Sequence, residues 1–193
     1  MVRKLLDRIT GCELTTGVQL SRLKQGQWLP ELEFHVPAPR LHADTLNALL
    51  ADAGYEVAPL AFRRMEGYLK GFIDLVFEAD GRYYLLDWKS NHLGYLPQDY
   101  DHAGIAMAMA EHGYHLQYLL YTLALHRYLG QRVPGYAYDT HFGGVLYLFL
   151  RGIRPDWTNP DGSPSGVLFH KPPASVIEAL DALFHLPTQR SAP

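Results

Sequence analysis

Apolar and charged residues alternate through Glu31-Leu32-Glu33-Phe34-His35-Val36-Pro37, the period-two signature of a half-buried strand. Leu32, Phe34 and Val36 leave one face of such a strand; Glu31, Glu33 and His35 leave the other. Ala38-Pro39-Arg40 reads as a break. From Leu41 to Ala53 the period becomes helical, with Leu46, Leu49 and Leu50 as the stripe and Gly54 ending it. Two apolar runs follow, Gly71–Phe77 and Tyr83–Lys89, joined by Glu78-Ala79-Asp80-Gly81-Arg82. Asp-Gly is a turn signal, so the pair predicts a β-hairpin. Helices are predicted over Ala103–Glu111 and Tyr114–Tyr128, the second with Leu116, Leu119, Leu120 and Leu123 inward. Gly130–His141 reads as a loop, and Val145–Leu150 is a continuous apolar run, as in a buried strand. A loop over Pro155–Gly166, a short strand at Val167–Phe169 and a helix over Ala174–His185 complete the pattern. Residues 1–30 carry a weaker signal and read as a weakly ordered lead-in, with the tail of a helix over Arg3–Ile9; residues 187–193 read as a flexible tail.

The hairpin carries the chemistry. Both of its strands are apolar except for Asp74 in the first and Asp87 and Lys89 in the second. An aspartate inside an apolar strand needs a cation or a donor beside it, because burying it alone costs several kcal/mol. Asp87 and Lys89 are two apart and leave the same strand face. Carboxylates on neighbouring strands can converge on a hard divalent cation, and a lysine beside them can orient a water or stabilise charge on phosphate oxygens. The same residues also describe a solvated edge hairpin with a weak surface ion pair.

The segments GYLKGFIDLVF (67–77), GRYYLLDWKSNHLG (81–94), LQYLLYTLALHRYL (116–129) and HFGGVLYLFLRG (141–152) separate these readings. In order and spacing they resemble the PD-(D/E)xK nuclease superfamily, and specifically the C-terminal nuclease domain of RecB-type β subunits of exodeoxyribonuclease V, from about Glu31 to Gly152. The resemblance implies an α/β fold of the restriction-endonuclease type, with a central mixed sheet flanked by helices, over a single domain (1–193) that is a piece of a larger helicase-nuclease subunit. It implies Mg²⁺ at Asp74 and Asp87, helped by the Trp88 carbonyl, with Lys89 positioning the attacking water. It raises Glu33 to a metal-linked candidate. It also places Gln117 and Tyr121, four apart on one helix face, beside the metal, where they hold phosphate or water. The implied activity is exodeoxyribonuclease processing of single- and double-stranded DNA ends in recombinational repair of double-strand breaks, with RecC-like and RecD-like partner subunits. The alternative is a non-catalytic module for DNA-end binding or subunit docking.

Composition narrows the picture further. The chain has 193 residues, 48% hydrophobic and 19% charged, enough for one domain with a real core. A formal charge of −3 supplies no broad basic field, so contact with nucleic acid falls to local groups such as Arg63, Arg64, Lys70, Arg151 and Arg154 and to bound metal. One cysteine, Cys12, excludes an internal disulfide, a cysteine zinc site and the iron–sulfur cluster of a Cas4-like exonuclease. No P-loop motif occurs. No apolar stretch approaches a membrane span and no signal-peptide core is visible, so a bacterial cytoplasmic protein is the expectation. The ten histidines occur without zinc-site helical spacing. The RecB-type resemblance calls for a metal-ligating histidine on a helix well upstream of the Glu33 strand, and none of the thirty residues before Glu31 is a histidine. His35 is the nearest substitute, at a different spacing.

Overall fold

A computed structural model describes residues 2–55 and 57–185; the tail expected over 187–193 lies outside them. Five strands form one sheet in the order β1-β2-β3-β4-β5. They are β1 (Trp28–Leu41), β2 (Met65–Ala79), β3 (Arg82–Lys89), β4 (Phe142–Phe149) and β5 (Val167–His170). The pairings β1–β2, β2–β3 and β4–β5 are antiparallel and β3–β4 is parallel, so the sheet is mixed. Strand β3 is therefore the middle strand, not the edge strand of a solvated hairpin. The β2–β3 turn has left-handed backbone at Asp80 (φ 51°) and Gly81 (φ 75°), the twist-matched geometry that favours Asp-Gly in a two-residue hairpin loop.

The parallel step from β3 to β4 requires a long crossover, and helices α3 (His102–Glu111), α4 (Tyr114–Arg132) and α5 (Tyr138–His141) fill it. Helix α3 starts where the Asp101 carboxylate accepts from the backbone N–H groups of Ala103 and Gly104, satisfying two donors left open at a helix start. Together with α2 (Ala43–Asp52) and α6 (Ala174–Leu183), α3 and α4 cover one sheet face; Leu46, Leu50, Met109, Leu119, Leu123, Ile177 and Leu180 join Ile73, Leu85, Val145 and Tyr147 in one core. The opposite face is covered by α1 (Val2–Gly11) and the segment after it, through Ile9, Leu14 and Val18 against Phe77, Leu86, Leu146 and Leu148. The lead-in expected to be weakly ordered thus closes the second core. With both faces covered, all eight residues of β4 are buried.

Some expectations change. Ala38-Pro39-Arg40 does not break the chain: β1 runs on to Leu41, with a register shift between Ala38 and Leu41. Proline is tolerated in an edge strand because it lacks only a donor that solvent would otherwise take. The basic segment after Ala61 becomes strand at Met65. In α4 the buried residues are Tyr118, Leu119, Thr122, Leu123, Ala124, Leu125 and Leu129, while Leu116 and Leu120 are only partly covered. The helix is rotated from the leucine stripe because Tyr118 packs on the sheet, its ring 6.1 Å from that of Tyr147.

Close packing fixes one glycine at the start of β4. A Cβ on Gly143 would lie 2.4 to 2.7 Å from the Tyr84 ring, which is itself stacked on Phe77 at 5.2 Å. Gly143→Ala is expected to destabilise the chain by about 1–3 kcal/mol, measured as a lower urea midpoint with an unchanged slope.

Candidate active site

The β2–β3 ladder stops at Leu75–Leu86. Continued by one step it would place Asp74 opposite Asp87, and by two steps Ile73 opposite Trp88. Like charges directly across a strand pair repel, and here the strands part. The Trp88 N–H, which would have met the Ile73 carbonyl, donates to Asp74 Oδ2 at 2.8 Å. A carboxylate has replaced a backbone rung. A residue's N–H and C=O leave the same strand edge, so the Trp88 carbonyl opens on this gap too. The face alternation of β2 also slips here: Ile73 and Val76, three apart, share one core, while Leu75 belongs to the other. On β1 the matching interruption is Glu31, left-handed at φ 52°, between the pairs Pro30–Leu75 and Leu32–Ile73.

On the other side of the gap, Asp87 and Lys89 share the helix-covered face of β3. They are 4% and 8% exposed, with Lys89 Nζ 2.7 Å from Asp87 Oδ2. Burial pushes the Asp87 carboxyl above its ordinary range; Lys89 opposes the shift and the Asp74 charge adds to it. Helix α4 crosses above. Gln117 Oε1 accepts from Lys89 Nζ at 2.9 Å, and Gln117 Nε2 donates to the Tyr121 hydroxyl at 2.9 Å. Tyr121 is held in turn by the edge of Phe34 at 5.5 Å. Asp74, Asp87, Trp88, Lys89, Gln117 and Tyr121 are thus brought together.

Glu33 is not. Strand alternation sends its carboxylate to the outer face, where it meets Lys70 Nζ at 2.6 Å and His35 Nε2 at 3.0 Å. Those two hydrogen bonds, with Lys70 the stronger influence, hold its carboxyl below the ordinary carboxylate range. His35 is engaged there as well. Among the described residues no group of three or more His, Cys, Asp or Glu side chains is arranged to hold a metal ion. The expected basic patch is also partly engaged: Arg64 pairs with Glu66, Lys70 with Glu33, Arg151 Nε donates to the Ser90 carbonyl at 3.0 Å, and Arg154 lies 4.3 Å from the Trp157 ring centre.

Two residues that sequence reasoning passed over complete the surroundings of Lys89. Its Nζ lies 3.8 Å from the ring centre of Tyr114 and 4.8 Å from that of Tyr147. The Tyr147 hydroxyl also donates to Gln117 Oε1 at 3.0 Å. In the sequence Tyr147 is one apolar position of a continuous strand. Only its parallel register with Asp87 gives it this place.

The donor set fits a hard divalent cation. Two carboxylates and one backbone carbonyl face the same gap, all of them oxygen ligands, and water can fill the remaining positions. The raised Asp87 carboxyl, desolvated and repelled by Asp74, is the signature of a pair that a dication would relieve.

A mixed sheet with Asp74 on one strand, Asp-x-Lys on the next and a parallel strand beyond is the arrangement of a nuclease-type phosphodiesterase. The sequence matches the PD-(D/E)XK nuclease superfamily over residues 6–180, and the chain belongs to that superfamily. Ile73 stands where the superfamily's name has proline. The chain is 47% identical over 173 residues to the RecBCD enzyme subunit RecB of Escherichia coli, covering 88% of this chain and 14% of that protein. It is 41% identical over 172 residues to the same subunit of Haemophilus influenzae, covering 87% and 14%, and 43% identical over 128 residues to that of Mycobacterium tuberculosis, covering 65% and 12%. It therefore spans about a seventh of the length of the first two relatives.

If the gap is a cation site, Mg²⁺ at 100 times its dissociation constant stabilises the fold by about 2.7 kcal/mol. A Mg²⁺-dependent rise in Tm is expected for the wild-type chain and its loss in Asp74→Asn, read by calorimetry without DNA.

Proposed function

We propose that this chain hydrolyses DNA phosphodiester bonds with Mg²⁺ held by Asp74, Asp87 and the Trp88 carbonyl. The observation that carries the reading is the buried Asp87–Lys89 pair facing Asp74 across strands that have parted. A bound dication there supplies an acidified water and neutralises phosphate charge. Lys89, held by Asp87 and Gln117, orients the attacking water and stabilises charge growing on the phosphorus oxygens. Gln117 and Tyr121 hold the phosphate or the water from the α4 side. Glu33 has no part in this reading, because Lys70 and His35 engage it on the outer face.

The similarity to RecB subunits extends the proposal. The chain serves as the nuclease segment of a longer helicase-nuclease subunit, working in the bacterial cytoplasm with RecC-like and RecD-like partners on the ends of broken DNA. No helix among the described residues is long and apolar enough to cross a membrane.

End-labelled linear single-stranded DNA tests the reading. Mg²⁺ should support cutting and EDTA abolish it; Lys89→Ala should lower kcat by about 10²–10³-fold, and Asp87→Ala should remove activity while the chain still folds by circular dichroism, at lower stability because Lys89 loses its buried partner. Cutting that survives Asp87→Ala, or binding of DNA ends indifferent to chelator with no cutting, would replace the nuclease with a docking module.

A further inference from the structure

One amide carries three hydrogen bonds at the centre of the site. Gln117 Oε1 lies 2.9 Å from Lys89 Nζ and 3.0 Å from the Tyr147 hydroxyl, and Gln117 Nε2 lies 2.9 Å from the Tyr121 hydroxyl. An ammonium has donors only, so the amide atom that faces it is the oxygen. The usual ambiguity between amide oxygen and nitrogen is thereby removed. An amide oxygen has lone pairs only, so Tyr147 donates its proton to it. The amide nitrogen has donors only, so Tyr121 accepts. The phenolic proton of Tyr121 is left for another acceptor, and no other hydrogen bond reaches that hydroxyl among the described residues.

Resting on the nuclease reading above, we propose that Tyr147 is a positioning residue for the hydrolytic site. Its hydroxyl locks the Gln117 amide in the one orientation that gives oxygen to Lys89 and nitrogen to Tyr121, so that the Tyr121 proton is presented to a non-bridging phosphate oxygen of the substrate.

The fold holds Tyr147 firmly enough for this. It is fully buried in β4, at 0% exposure, and aligned with Asp87 in the parallel register. Burial is also the main reason its phenol is pushed far above the ordinary range, which keeps it a donor. The terminal torsion of glutamine is broad and roughly two-fold, so an amide anchored only by Lys89 is free to swing away from Tyr121. The second bond to the oxygen narrows that freedom. The ring of Tyr147 faces Lys89 separately, so removing only the hydroxyl isolates the lock from the ring contact.

Tyr147→Phe performs that removal with almost no change in volume. In the free chain, without DNA or metal, the side-chain amide protons of Gln117 should exchange slowly in wild type by ¹⁵N NMR and faster in Tyr147→Phe. In the cleavage assay, Tyr147→Phe should lower kcat by about tenfold with KM unchanged, the scale of lost positioning partners. The same change in a Gln117→Ala background should cost nothing more, because coupled residues are non-additive. Unchanged Gln117 exchange in Tyr147→Phe, or an equal loss of kcat in both backgrounds, would overturn the proposal. A wild-type chain that does not cut would contradict the nuclease reading instead, and the amide comparison would still decide the lock.

Discussion

The parting of β2 from β3 at Asp74 and Asp87 is the constraint on which the site depends. Two carboxylates that a regular ladder would set face to face are relieved by strand separation, and the freed Trp88 N–H is taken by Asp74 itself. That one substitution of a side chain for a backbone rung leaves a gap lined with oxygen. A regular hairpin with the same sequence would close it.

The position of β3 in the sheet sets the electrostatics. As the middle of five strands, with helices over one face and the α1 segment over the other, it buries Asp87 and Lys89. Breaking a buried ion pair by removing one partner is strongly destabilising, yet replacing the whole pair with apolar groups is often neutral or stabilising. Stability alone therefore does not account for this pair in the core. The long crossover imposed by the parallel β3–β4 step supplies the other half of the site, because it returns α4 over the gap with Gln117 and Tyr121 on the facing side.

Much of this was legible in the chain. The Asp-Gly turn, the two carboxylates in apolar strands, the two-residue spacing of Asp87 and Lys89 and the four-residue spacing of Gln117 and Tyr121 are local patterns. Local periodicity gives the face that most side chains leave, although the alternation slips in β2 between Ile73 and Val76. What was not legible depends on contacts distant in sequence. Glu33 reads as a candidate from its strand, but its partner Lys70 is set by the β1–β2 register. Tyr147 reads as core until β4 pairs with β3. The rotation of α4 away from its leucine stripe depends on aromatic packing of Tyr118 against the sheet. Pro39 reads as a break unless the strand is known to lie at the sheet edge. The sparse apolar residues of the lead-in gave no sign that Ile9, Leu14 and Val18 would close a second core.

The central claim is that the gap between β2 and β3 is a cation site built from Asp74, Asp87 and the Trp88 carbonyl. Anomalous diffraction from crystals of the chain grown with Mn²⁺ tests it most directly. The account predicts a metal peak in bonding contact with both carboxylates and with that carbonyl, its remaining positions filled by water. A peak bound elsewhere, for example at Glu33 on the outer face, with Asp74 still capping Trp88 and Asp87 paired to Lys89 alone, would contradict it.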